Sequence, residues 1–328
     1  MQKLLKPFFV LAPMDDVTDC VFRQIVADCA SPDLFMTEFI NCESLQSAGR
    51  KATYTRTLYN DKSNQVIAQI WGKMPEHFEK SAHELMQMGF HGIDINFGCP
   101  EKTVVKNDCC SAMIRPEGRE AALELIRAAR RGIGCDGFLS VKTRLGFNEI
   151  DYSWHELLLK EGLQMLTVHV RTRKEMSNVP ANYEAIRPIV KLRDKLAPST
   201  KIVLNGDIEN RCHGEELAAK YGVDGLMIGR GIFHDPFAFA GNSQWNAMDA
   251  DQKIGLFVKH LQLFKATWPN GERSYQTMKK FAKIYINGFD GAKAIREQIM
   301  QTNSVDEALE LIASPTKADL ERGENSKP

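Results

Sequence analysis

Between residues 8 and 228 the chain alternates a short apolar stretch with a longer amphipathic one, eight times in succession. Phe8–Ala12, Leu34–Phe39, Gln65–Trp71, Ile93–Phe97, Phe138–Thr143, Met165–His169, Lys201–Asn205 and Val223–Ile228 read as strands, each a brief apolar run bounded by turn or polar residues. Helical period fills most of the intervals. Thr18–Cys29 has Thr18 as its expected cap, and Pro75–Met88 sets Phe78, Ala82, Leu85 and Met88 on one face. Pro116–Gly132, Tyr152–Glu161, Tyr183–Leu196 and Gly214–Tyr221 follow, while the stretch up to Asn60 reads as helix and loop, and the one after Pro100 as a long loop. Eight strand–helix units in about 230 residues match the size of a (β/α)₈ TIM barrel. A doubly wound open sheet competes, but it would want a glycine-rich first turn, which Pro13-Met14-Asp15-Asp16 does not supply.

A barrel makes a further demand: functional side chains gather where the strands end. In order, those ends carry Met14, Glu38, Gln69, Asn96, Lys142, His169, Asn205 and Gly229-Arg230. One polar strand end means little, since every strand must meet water, but a full circle of them at the same end marks a site. Asn205-Gly206-Asp207 and Gly229-Arg230 sit after the seventh and eighth strands, where backbone N–H groups of a barrel commonly meet a phosphate. Each alone reads equally well as an ordinary glycine turn. Lys142 in a barrel mouth asks for an anion or an electron-rich ring. Gln69 and His169 can hydrogen-bond a heteroaromatic ring, though His169 alone could be a satisfied core histidine. A flat ring with a phosphate tail satisfies all of these groups together, and flavin mononucleotide (FMN) has that shape. The strand Ile93–Phe97 stops at Gly98-Cys99-Pro100, a stiff turn that sets the direction of the Cys99 thiol. That thiol is either a packed structural cysteine or a reactive group at the mouth.

After Phe237 the strand pattern ends. Gln252–Thr267, Arg273–Gly288, Ala292–Gln301 and Val305–Ala313 read as helices. The expected division is a barrel domain over 1–240, a helical domain over 241–314, and a disordered tail over 315–328. Overall, 42 Lys and Arg balance 42 Asp and Glu, so no global field announces a nucleic-acid partner. Locally the balance changes: residues 251–300 carry nine Lys and Arg against four acids. The eight cysteines form no metal-type C-x-x-C pair, so no metal site is expected, and they read as reduced thiols of a cytoplasmic protein. No apolar run approaches the roughly 20 residues of a membrane span.

The motifs, taken as a set, carry a resemblance. Leu11-Ala12-Pro13-Met14, Val17-Thr18-Asp19, Phe22-Arg23, Thr37-Glu38, Ala68-Gln69-Ile70, Asn96-Phe97-Gly98-Cys99-Pro100, Ser140-Val141-Lys142-Thr143-Arg144, His169-Val170-Arg171-Thr172, Asn205-Gly206-Asp207 and Gly229-Arg230-Gly231 resemble, in order and spacing, the tRNA-dihydrouridine synthase family. The resemblance spans roughly residues 7–314. It implies an FMN barrel, a helical tRNA-binding domain, NADPH as reductant, and reduction of the uridine 5,6-double bond. Cys99 is then the proton donor. Ala12, Pro13, Met14, Gln69, Lys142, His169, Asn205, Gly206, Asp207, Gly229 and Arg230 hold FMN. Asn96 and Arg171 lie on the substrate side, Lys279 and Lys280 meet RNA phosphates, and the protein is a monomer. A proton donor should stay protonated at neutral pH, so Cys99 is expected to keep an ordinary thiol pKa near 8.5. Two departures stand out. Lys106–Ile114, with Cys109 and Cys110, replaces a glycine-rich loop, and Phe281 and Ile284 replace a histidine and a tryptophan of the family's pattern. A non-enzymatic RNA-binding protein would leave Cys99 and the polar strand ends unused. A barrel reductase of small enones or pyrimidines would leave the basic helices unused.

Overall fold

The computed structural model describes residues 4–59 and 65–313. The tail expected over 315–328 lies outside them. Nine parallel strands run in chain order: β1 (Phe8–Leu11), β2 (Leu34–Met36), β3 (Ile40–Asn41), β4 (Val66–Trp71), β5 (Ile93–Asn96), β6 (Leu139–Arg144), β7 (Met165–His169), β8 (Lys201–Asn205) and β9 (Gly225–Ile228). Their order is β2-β1-β9-β8-β7-β6-β5-β4-β3, and a further pairing of β2 with β4 closes the ring. The two-residue β3 pairs with the far end of β4, so β2 and β3 together are the interrupted second strand of an eight-fold barrel. The break falls at Thr37–Phe39, where the Thr37 hydroxyl oxygen accepts from the Gln69 backbone N–H at 3.0 Å, in place of a ladder bond.

Phe8, Val10, Ala12, Leu34, Met36, Ile67, Met165, Val203 and Met227 pack together as one fully buried cluster. They come from six strands and share the inward parity of the pleat, so the barrel is a filled core. Helices sheathe it. The first, Cys20–Ala30, is capped by Asp19, whose side chain accepts from Phe22 N–H at 2.8 Å. Thr18, the expected cap, instead bonds the Met14 backbone at 3.0 and 3.1 Å and so shapes the loop after β1. The expected long loop after Cys99 contains a short helix, Lys102–Lys106, and a 3-10 segment, Cys110–Ile114. The helix starts there because the Glu101 carboxylate accepts from the N–H groups of Thr103 and Val104.

A buried pair ties the outer helix Ile186–Leu196 to the strands: Asp224 Oδ2 accepts from the Arg193 guanidinium and from Ile202 N–H at 2.8 Å. The Asp224 side chain is 0% exposed. Lys6 pairs with the other oxygen of Asp224, so removing Arg193 leaves that carboxylate one partner short, not alone, at about 1–3 kcal/mol. Arg193→Met should therefore lower the free energy of unfolding measured in urea by that amount; a change within about 0.5 kcal/mol would show that the pair is replaceable.

By contacts, the described residues divide into two compact units. One runs to Ile232 and includes Ala238–Gly241; the other comprises Phe233–Phe237 and residues from Asn242 onward. The second unit is helical: Ala250–Thr267, Gln276–Lys279, Ala282–Tyr285, Ala292–Gln301 and Val305–Ala313. Its longest helix begins with a capping box between Asp249 and Gln252. The expected helix Arg273–Gly288 is two short helices, with Phe281 at the junction packing edge-on against His260 at 4.7 Å.

Candidate active site

Parity carries the polar groups to one place. Gln69 follows Ile67, Lys142 follows Ser140, His169 follows Met165 and Thr167, and Asn205 follows Val203, each two residues along its strand. Ala12 and Met14 extend the inward face of β1, and Gly229 that of β9. Because the side-chain period of a strand is two, all of these stand over the filled core at the carboxyl end of the barrel. The register keeps neighbours adjacent: Gln69 pairs with Asp94, Asn96 with Lys142, and His169 with Asn205.

The turn bearing Cys99 is built by Asn96. Its side-chain oxygen accepts from the N–H groups of Gly98 and Cys99, both at 3.0 Å, while its amide donates to Gln69 Oε1 at 3.1 Å. Asn96, expected to face the substrate, thus spends its oxygen on the backbone of the turn. Gln69 in turn donates to Asp94 Oδ2 at 2.7 Å, and Ser140 Oγ to Asp94 Oδ1 at 2.5 Å. Asp94 is absent from the residues singled out in the sequence, although its inward parity between Gly92 and Asn96 was a usable signal. Arg144 completes the support. It is 5% exposed and donates to Gly98 O at 2.7 Å, Thr172 O at 3.2 Å and Met176 O at 2.8 Å. The turn after β5 is thereby locked to the loop after β7.

The titrating groups depart from their ordinary values. Burial pushes Asp94 up to about 6, against the hydrogen bonds from Ser140 and Gln69. Burial and the neighbouring Arg144 bring Lys142 down to about 8. Cys99 was expected to be ordinary, and it is not. A hydrogen bond from the Cys110 thiol holds it down to about 7 despite burial, helped by a backbone N–H at Glu101 and the charge of Arg144. The reason is that a sulfur accepting an S–H bond beside a guanidinium is stabilised as thiolate. Cys110 itself is pushed far up by burial and by donating that bond, and Cys109 reaches about 11 through burial.

Two strands along, on β7, burial drives His169 well below its usual range, reinforced by Lys142, Arg144, Arg171 and Arg230. The ring is neutral. Its Nε2 lies 3.1 Å from the Arg171 guanidinium, which can only donate, so the ring proton sits on Nδ1. Arg171 is 2% exposed; its remaining bonds go to Val179 O at 2.6 Å and to Asp207. It holds His169 in place rather than reaching outward to a substrate. Asp207 also accepts from Arg230 at 3.1 Å and Ala181 N–H at 3.1 Å, so its carboxylate is a strut between two loops. Gly206 has φ +128°, and a β-carbon there would lie 3.1 Å from His169 Cδ2, so glycine is required on both counts. Around His169 four cations face only Asp94 and Asp207, a local excess of positive charge on that side of the mouth; Glu38, Asp15 and Asp16 gather instead with Arg56 beyond β1 and β2. That imbalance, with bare glycine backbone at Gly206 and Gly229 and a neutral Nδ1–H donor, fits a flat ring carrying a phosphate.

Cys99 and Cys110 both line a cavity of about 390 Å³, together with Asp15, Asn41, Arg56 and Trp71. Carboxylate oxygens of Asp15, Asp16 and Glu38 come within 4.8 Å of one another, and Arg56 lies 3.1 Å from Asp15 and 3.5 Å from Asp16. In the helical unit, Lys280 and Lys283 are exposed. Lys279, expected beside them, is 8% exposed and donates its ammonium to Met300 O at 2.9 Å, which makes it part of that unit's packing. Among the described residues no helix is long and apolar enough to cross a membrane.

A closed parallel barrel with a cation-rich mouth and a thiol beside it is the frame of a (β/α)₈ oxidoreductase that carries an anionic ring cofactor. A family model described as dihydrouridine synthase (Dus) matches residues 10–320. A probable tRNA-dihydrouridine synthase of Staphylococcus epidermidis is 44% identical over 313 residues, covering 94% of each chain. A probable tRNA-dihydrouridine synthase 2 of Bacillus subtilis is 44% identical over 316 residues, covering 95% of this chain and 94% of that one. Among solved structures, the 6-hydroxypseudooxynicotine amine oxidase of Pseudomonas geniculata N1 shares the fold, with a TM-score of 0.52 at 11% identity, over 72% of this chain and 47% of that one. The chain belongs to the dihydrouridine synthase family. It is a flavoenzyme that reduces uridine in tRNA to dihydrouridine, with FMN as cofactor and NAD(P)H as reductant.

Proposed function

We propose that Cys99 is the proton donor of this reaction, in a cytoplasmic monomer whose barrel binds FMN and whose helical unit meets tRNA. Ala12, Pro13, Met14, Gln69, Lys142 and His169 would surround the flavin ring, and Asn205, Gly206, Asp207, Gly229 and Arg230 would line its phosphate, with Asp207 orienting Arg230. When bound, the flavin supplies hydride to one carbon of the uracil double bond. The other carbon needs a proton, and Cys99 is the thiol that the Asn96 turn aims. A thiol held near pH 7 is poised for that transfer, being about half protonated at neutrality and easily deprotonated. Uracil stacked inside folded RNA cannot reach the group, so the target nucleotide must be turned out into the mouth. NADPH is the proposed form of the reductant.

The single observation that carries this reading is the Asn96 turn, which presents a thiol of lowered pKa beside the cationic mouth. It is tested with purified protein, NADPH and an unmodified tRNA transcript, reading dihydrouridine by mass spectrometry, and by mapping dihydrouridine in RNA from cells with and without the gene. Reduction of a free pyrimidine or small enone, with no product on tRNA, would sink it.

The exposed pair Lys280 and Lys283 is the proposed phosphate contact of the helical unit. Replacing both with alanine should weaken tRNA binding for every sequence and flatten the slope of log K against log salt by about 1.5. Anisotropy titrations at several salt concentrations measure this. An unchanged slope would remove the pair from the interface.

A further inference from the structure

The segment after Cys99 returns to it by an unusual route. The short helix Lys102–Lys106 ends at Asn107, and then Asp108 at φ +56° and Cys110 at φ +52° both take left-handed backbone. A residue with a β-carbon is disfavoured there, and glycine is not. At Asp108 the side chain is exposed and paired with Arg115 at 2.8 Å. At Cys110 the side chain is 2% exposed and lines the same cavity as Cys99. The surroundings hold it there: Cys109 N–H donates to Val104 O at 3.1 Å, and Ser111 Oγ donates to Cys99 O at 2.7 Å. The same segment thus grips the backbone of Cys99 through Ser111 and brings the Cys110 thiol into the cavity that Cys99 lines. A strained cysteine at a position that suits glycine points to a job for its thiol.

We propose that Cys110 is a positioning residue for Cys99: its buried S–H donates to Cys99 Sγ, aims that sulfur into the shared cavity, and stabilises the thiolate left after proton transfer. The inference rests on Cys99 being the proton donor. The balance is simple. One S–H bond of Cys99 breaks and one C–H bond forms on the uracil, the two electrons for the second C–H bond come with the hydride, and Cys99 is reset by a proton from solvent. Cys110 keeps its own proton throughout, because burial penalises its thiolate. Other charges bear on Cys99 from every side. Lys142 and Arg144 reach it from β6, and Glu101 lies on its own loop. Glu43 acts on Cys110 from the helix Cys42–Leu45, and Asp15 and Arg56 line the cavity. None of them changes when Cys110 is replaced.

The test is the pH dependence of alkylation of Cys99 by iodoacetamide in the FMN-loaded protein, under a phosphine reductant, with the modified peptide quantified by mass spectrometry. The parent should show a midpoint near 7. Cys110→Gly suits the left-handed backbone and removes the donor, so its midpoint should rise by about one unit or more, a roughly fivefold or greater fall in thiolate fraction at neutral pH. Cys110→Ser keeps an O–H donor and should stay within about half a unit of the parent. A Cys110→Gly midpoint equal to the parent's, or a serine variant displaced as far as the glycine one, would overturn the proposal. Should Cys110→Gly not fold, Cys110→Ala is read against the same thresholds. The falling limb of the pH profile for dihydrouridine formation should move with the alkylation midpoint. A fully active Cys99→Ala variant would instead refute the proton-donor reading and leave the alkylation result standing.

Discussion

Replacing Cys99 with alanine is expected to reduce dihydrouridine formation by about 10²–10⁴-fold, the usual worth of a positioned general acid. The purified variant should remain yellow, because the groups proposed to surround the flavin are held by bonds that do not involve the sulfur. Gly98 and Cys99 donate to Asn96 through backbone N–H groups, and Arg144 grips the carbonyl of Gly98, so the turn survives the loss of the side chain. What disappears is the proton. Its loss also predicts a sign for the pH dependence. An acid must be protonated to act, and Cys99 is held near 7, so single-turnover reduction of tRNA by the parent should fall tenfold per pH unit above about 7. The alanine variant should show a low, flat rate instead. A variant that retains the falling limb would place the proton elsewhere.

The second large effect is expected at Lys142. Its ammonium is half-buried among Arg144, Cys99 and Asp94, and burial with the neighbouring guanidinium brings it down to about 8. No hydrogen bond of the ammonium is taken by Asp94, whose oxygens serve Gln69 and Ser140, so a hydrogen-bonded anionic ring should gain about 1.5–3 kcal/mol from it. Lys142→Met should therefore weaken FMN binding about 10- to 150-fold, measured by quenching of flavin fluorescence on titration. The sign with pH follows from the lowered value. The charged form is lost as pH rises through about 8, so the parent's flavin affinity should decline above that pH and the variant's should not. Asp94, with a pKa of about 6, is ionised in this range and offsets part of the effect, but its oxygens are already taken by Gln69 and Ser140, so the ammonium still has hydrogen bonds to give. Equal affinity in both proteins across that range would mean that Lys142 serves only to keep Asp94 company.

Much of this was legible from alternation. Hydrophobic stretches of strand length, separated by helical period, are a local property of the chain, so the eight-fold barrel could be read before any contact was known. Where strand boundaries blurred, a long-range bond intervened. Leu34–Phe39 breaks at Thr37 because Gln69 N–H takes the threonine hydroxyl, a partner 32 residues away. Thr18 and Asp19 are both good caps, and the choice fell to the loop after β1, which claims Thr18 for the Met14 backbone. Basic residues were less legible still. Lys279 and Lys280 are identical in sequence terms, yet one donates inward to Met300 O and the other faces water. Arg171, chosen for its place in a motif, is buried against His169 and Asp207.

The sequence by itself therefore determined which strand carries each polar tip, because parity along a strand is set by counting residues. The tertiary structure alone decided what each tip does. Charge, hydrogen bonding and acidity depend on distances between segments far apart in the chain, and the lowered pKa of Cys99 arises from a thiol eleven residues on, folded back by two left-handed residues. Closure of the ring converts a list of strand ends into a common surface, and burial against that surface moves the protons.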